Sequence, residues 1–188
     1  MALSQPSTWN IGLNAWIVQD GNYPDFGVNE AVKFAVEFCQ RPETAVESSN
    51  SEVVAKHLRD ATYQVVGKKI EGTSKITVLD IGILVYSQFE SQLAIVECGA
   101  CFQTELNLGV DPYGFSGHVP ALVYSWHITS ILRQTAPFIE TVHGGRKLLT
   151  RDASRFGDVE IRKTDAWRDD KGRADYILVC ELLPVPAE

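Results

Sequence analysis

The 188-residue chain reads as an all-β protein: one domain over residues 1–188, built as a single antiparallel, partly closed β-barrel with at most one short helix. Two observations predict this. Apolar residues recur at every second position through most of the chain, which is the period of a half-buried strand. Between those runs lie clusters of Gly, Pro, Asn, Asp and Ser, and a single stretch carries convincing helical spacing. About eight strands result, and a barrel protects their edges better than an open sheet does.

The first two elements are Ala15-Trp16-Ile17-Val18 and Lys33 to Phe38, where aromatic and β-branched residues alternate. The turn-rich loop 20–27, Asp20-Gly21-Asn22-Tyr23-Pro24-Asp25-Phe26-Gly27, joins them as a pair. Ala31, Phe34, Ala35 and Phe38 also fit helical spacing after Asn29, but the valines and phenylalanines favour a strand. Arg41 to Ser51 is polar and reads as a loop. In Glu52 to Ala61, Val53, Val54, Leu58 and Ala61 fall at helical offsets behind a cap at Asn50 or Ser51, so the one helix is expected there. The alternative is an extended entry to the next strand.

Tyr63 to Ile70 and Ile76 to Tyr86 form a hairpin around Glu71-Gly72-Thr73-Ser74-Lys75. Phe102 to Val110 alternates nearly without fault, giving one buried and one wet face. Ala121 to Leu132 is a long strand with Leu122, Tyr124, Trp126 and Ile128 on one face. Val159 to Trp167 and Ala174 to Leu183 close the chain as a hairpin with a turn at Asp169 to Gly172. The path from Tyr63-Gln64-Val65-Val66-Gly67 through Val78-Leu79-Asp80-Ile81-Gly82 to the Phe102 strand resembles the opening meander of an OB-fold-like barrel. That resemblance implies a cleft across the barrel face, which in such folds takes oligonucleotides or oligosaccharides.

Composition excludes several classes. With 45 % hydrophobic and 22 % charged residues the chain is neither disordered nor fibrous. No apolar run approaches the roughly 18 residues of a membrane span. Met1 to Ser7 lacks the basic start and apolar stretch of a secretory signal, and the expected location is the cytoplasm, with its four cysteines as thiols. Seventeen Lys plus Arg against 24 Asp plus Glu give a net charge of −7, which disfavours nucleic-acid binding. Residues 1–140 hold 8 basic and 15 acidic side chains, whereas residues 141–188 hold 9 of each. The Arg-rich segment from Arg146 to Arg173 could grip phosphate or carboxylate groups, or could form exposed strands with cross-strand ion pairs; interspersed signs favour the latter.

No motif specifies a reaction. Cys98-Gly99-Ala100-Cys101 has the spacing of a zinc or redox pair, but no second close pair exists, and an alternating strand follows in place of a helix. Gly114-Phe115-Ser116-Gly117-His118 with His143-Gly144-Gly145-Arg146 has the components of a hydrolase site, yet His118 stands where a nucleophile elbow needs glycine. Asp80 is an acid within an apolar strand and must pair, protonate or face solvent. The expectation is therefore a non-catalytic binding or protein-interaction module without a cofactor. Its aromatic loops 20–27 and 111–120 would supply Tyr23, Phe26, Tyr113 and Phe115, joined by His118 and Arg146. The ligand would be a protein or a small molecule, and paired edges could make a homodimer. A hydrolase or zinc enzyme using His118 and His143 with Ser116 or Cys98 and Cys101 is the alternative, and single-stranded nucleic-acid binding is a third.

Overall fold

Strand β1, Thr8–Asn14, alternates strictly: Trp9, Ile11 and Leu13 are buried, while Asn10, Gly12 and Asn14 face outward. The computed structural model describes residues 7–40, 44–49, 51–72, 76–88, 92–113, 122–143 and 145–184. Immediately after β1 the chain turns into α1, Ala15–Gln19, which buries Ala15, Ile17 and Val18. The Ala15–Val18 segment expected as a strand is thus the helix. Four residues are too few to separate the two periods, and a single helical turn lets three of them reach the core.

The expected helix at 52–61 is corrected in turn. It contains strand β4, Val54–Arg59, paired antiparallel with β5, Thr62–Gly72. Its helical offsets would have buried Leu58, which is instead 42 % exposed. Pairing with the β-branched and aromatic run of β5 outweighs a weak local propensity.

The remaining elements are β2 (Ala31–Cys39), the two-residue β3 (Glu47–Ser48), β6 (Thr77–Asp80), β7 (Leu84–Ser87), β8 (Cys101–Val110), β9 (Val123–Gln134), β10 (Phe138–His143), β11 (Arg146–Arg151), β12 (Asp158–Ile161) and β13 (Asp175–Leu182). The β5–β6 hairpin and the strands at 102–110 and 121–132 match expectation in kind. The run from Ile76 to Tyr86 is divided into β6 and β7. Asp80 Oδ1 accepts from the Gly82 amide at 2.8 Å, and Gly82 has φ 101°, so Asp80 builds this turn.

Pairings close two circuits that share β2 and β8. One runs β1–β8–β2–β9–β13, the other β2–β7–β6–β5–β8. Together they form a closed, mixed eight-stranded barrel, so the expected antiparallel pairing holds in part and the expected partial closure is corrected to a closed barrel. Parallel contacts join β1 to β8 and β2 to β7. Other expected neighbours also differ. Residues 15–18 and β2 are not a strand pair, because β1 lies between β13 and β8. The third strand of the expected meander, β8, lies beside β5 and β2, not beside β7. Strands β12 and β13 do not form a hairpin, since each pairs with β9. Hairpin β10–β11 forms a separate two-stranded sheet.

Aromatic packing fills the interior. Phe34 stacks on Trp126 with centroids 5.5 Å apart, Phe26 meets Phe34 edge-on, and the Trp126 indole donates to the Phe34 carbonyl at 3.2 Å. Among the described residues, no helix is long and apolar enough to cross a membrane.

Candidate functional site

Outward positions of β1 and β8 meet at a seam where Gly12 and Gly109 are register partners. Neither has a side chain, so the outer face is hollow there. A Cβ on Gly109 would meet its nearest neighbour, the Gly12 carbonyl oxygen, at 3.7 Å, an ordinary contact.

Two compartments adjoin over this seam and share Gly12, Asn14 and Asn107. One, of about 180 Å³, is bounded by Trp16, Glu37, Cys39 and Pro112. Its neighbour, of about 270 Å³, is bounded by Asp60, Thr62, Gln134, Phe156 and Asp175. The chain places these groups through the two-residue period of its strands: Asn14 and Asn107 fall on the same outward faces as Gly12 and Gly109, and Glu37 lies outward on β2. Trp16, 45 % exposed, stands on the solvent side of α1 because its neighbours Ala15 and Ile17 occupy the core. Phe156, 58 % exposed, follows the short turn after β11.

Hydrogen bonds hold the polar walls in place. Asn14 Nδ2 donates to Asp175 Oδ1 at 2.6 Å, and Asn107 Nδ2 donates to Thr62 Oγ1 at 3.3 Å. Asp175 also takes Arg151 Nε at 2.7 Å, which offsets its charge. Glu37 behaves differently. Burial pushes its carboxyl up to about 7, the charge of nearby Asp111 adds to the rise, and a hydrogen bond from the Gln88 backbone partly opposes it.

Behind Glu37 lies a buried polar centre. The Tyr86 hydroxyl donates to Asp111 Oδ1, which also accepts from the Tyr113 amide at 3.1 Å. Burial first, then the Asp111 hydrogen bond and charge, raise the Tyr86 hydroxyl far above the usual phenol range. Tyr23 is raised by burial and then by Asp111.

The structure brings loops 20–27 and 111–113 together, since Asn22 Nδ2 donates to the Pro112 carbonyl at 2.8 Å. Their expected aromatic surface is only partly present. Phe26 is 1 % exposed and belongs to the core; Tyr23 is half-buried against it at 5.8 Å; Tyr113 is 60 % exposed. Phe26 therefore acts as a plug, since an aromatic in a turn-rich loop can fold back to seal an apolar interior. Phe115, Ser116 and His118 lie outside the described residues. His143 and Arg146 are register partners in β10–β11, and their side chains lie outside the described ones.

Cys98 is exposed and Cys101 half-buried at the start of β8, both as free thiols. Among the described residues, no group of three or more His, Cys, Asp and Glu is arranged to hold a metal. Several arginines of the basic segment are engaged with acids: Arg151 with Asp170 and Asp175, Arg155 with Asp152, and Arg168 with Asp165.

Sequence reasoning missed Asn14, Trp16, Glu37 and Asn107. Glu37 carried a signal, as an acid inside an alternating apolar strand. The others depend on which strands become neighbours, and two-residue periodicity does not encode that. Two further hollows are mainly apolar, one of about 360 Å³ beside Val46, Ile95 and Phe102 and one of about 610 Å³ beside Val123, Tyr124 and Leu182. The seam groove is distinguished by combining exposed rings, planar polar side chains and a carboxyl shifted toward neutrality. Comparison of the chain with protein-family models, curated proteins and solved structures gives no match, so this geometry alone carries the functional reading.

Proposed function

We propose that the protein is a non-catalytic binding module whose ligand lies in the outer groove over Gly12 and Gly109. The paired glycines carry this reading: two side chains are missing where an otherwise continuous strand surface would fill the space, and polar groups converge around the gap. The partly buried Tyr23 and the exposed Tyr113 then stand beside the groove through the Asn22–Pro112 contact, outside its floor.

The test is a screen of small polar fragments by nitrogen-15 NMR on the wild type and on Gly109→Leu. The leucine side chain fills the groove from a position with room for its Cβ. Hits are expected to shift the Trp16 indole signal and to vanish in the variant. Hits that persist in Gly109→Leu, or that cluster beside Val46 and Phe102, would overturn the reading.

Glu37 favours a second reading. A carboxyl titrating near 7 beside a groove suits general acid–base chemistry. In that case Glu37→Gln abolishes turnover while retaining affinity, whereas a binding module shows no turnover to lose.

A further inference from the structure

We propose that the groove recognises a neutral saccharide of at least two rings, one ring in each compartment, with Trp16 and Phe156 as stacking plates. This inference rests on the groove being the binding site and specifies its ligand class.

Each compartment pairs one exposed aromatic ring with planar polar side chains: Trp16 with Asn14 and Glu37, Phe156 with Gln134 and Asp175. A pyranose presents the complementary surface. Its C–H face is apolar and packs on a ring, while its rim of hydroxyls both donates and accepts. Asn, Gln and carboxylate side chains suit neighbouring hydroxyl pairs because two polar atoms lie in one plane. Asn107, common to both compartments, stands where two linked rings would meet. The Asn14 and Asn107 amides are already held by Asp175 and Thr62, so less side-chain freedom is lost on binding.

Charge argues against the other small-ligand classes. Among the described residues, no Lys, Arg or His lines either compartment, so phosphates and carboxylates find no counter-charge. An organic cation would need strong negative charge. Asp175 is already paired with Arg151, and the Glu37 carboxyl is held partly protonated at neutral pH by burial beside Asp111. What remains is a hydrogen-bonding surface with two aromatic plates and one further carboxylate, Asp60, in the second compartment, and the choline probe tests whether that charge selects a cation.

Calorimetric titration of cellohexaose, maltohexaose and xylohexaose into the folded protein tests the proposal, with choline as a cationic probe. At least one hexasaccharide is expected to bind with a dissociation constant of about 1 mM or tighter. Trp16→Ala should weaken it about 10-fold, the loss expected for one stacking ring, and Trp16→Phe should recover part of that loss. Gly109→Leu should abolish it. If the polar fragments still locate to the groove but no hexasaccharide binds, the saccharide assignment is overturned and the groove stands. Choline binding without saccharide binding overturns it in favour of a cation. Saccharide binding that Trp16→Ala and Gly109→Leu leave unchanged places the sugar elsewhere and overturns it as well.

Discussion

The Tyr86 hydroxyl donates directly to the Asp111 carboxylate, and both residues are fully buried. Asp111 is also satisfied by the Tyr113 amide, so the tyrosine supplies one of several contacts to a buried charge. Tyr86→Phe removes that donor while preserving the ring. The expected cost is about 1–3 kcal/mol, from leaving an acceptor less well satisfied. Urea denaturation measures it, and an unchanged midpoint would show that Asp111 does not depend on this hydroxyl.

Glu37 gives the protein a pH signature. Its folded carboxyl lies at about 7 against an ordinary value of 4.5, so between those values the folded state binds more protons than the unfolded state. This group's contribution to stability therefore falls as pH rises from about 4.5 to 7 and is level above that. Glu37→Gln should remove this part of the slope and be more stable than the wild type at pH 8. Denaturation curves across that window, with Asp111, Tyr86 and Tyr23 retained, provide the comparison; an identical slope in both proteins would contradict the assignment.

Gly67 is required by contact. A Cβ there would lie 2.7 Å from the ring of Phe102, 3.1 Å from Ile81 and 3.2 Å from the Asp80 carbonyl. Gly67→Ala should cost about 1–3 kcal/mol through overpacking. Thermal denaturation of the pair Gly67→Ala and Gly67→Ala with Phe102→Leu would show partial recovery where the ring is the obstacle.

Arg151 joins three segments from a largely buried position. Its guanidinium reaches Asp170 at 3.0 Å, Asp175 at 2.7 Å and the Ala136 carbonyl at 2.7 Å, and it lies over the Phe138 ring. Arg151→Ala leaves Asp175 with the Asn14 amide but without its cation and should destabilise by about 1–3 kcal/mol, the range for charge-assisted hydrogen bonds at a partly exposed site. Lysine should not restore it, because an ammonium cannot reproduce the planar fork. Equal stability of the alanine and wild-type proteins would be incompatible with this role.

Strands with sustained alternation were legible from sequence. The buried residues Phe102, Leu106, Leu108 and Val110 sit on the expected face of β8, and Leu122, Trp126 and Ile128 are likewise buried around β9. Short segments were not, as Ala15–Val18 and Val54–Arg59 exchanged their expected roles. The groove depends on a parallel meeting of Gly12 and Gly109, 97 positions apart by 109 − 12. Periodicity tells which way a side chain faces along its own strand and carries no information about the strand beside it. The aromatic loop residues were legible by type, but burial of Phe26 follows from the apolar interior that it seals.

β1 lies between β8, met at a single register pair, and β13, which it matches at seven consecutive positions from Thr8↔Glu181 to Asn14↔Asp175. During synthesis the first strand therefore leaves the ribosome long before its principal partner, and the Asn14–Asp175 contact spans 161 residues. Such pairing is slow to form because loop closure must precede its reward. The nascent chain carries Trp9, Ile11 and Leu13 as an unpaired apolar edge until Asp175–Leu182 emerges, making that interval the period of greatest exposure to aggregation.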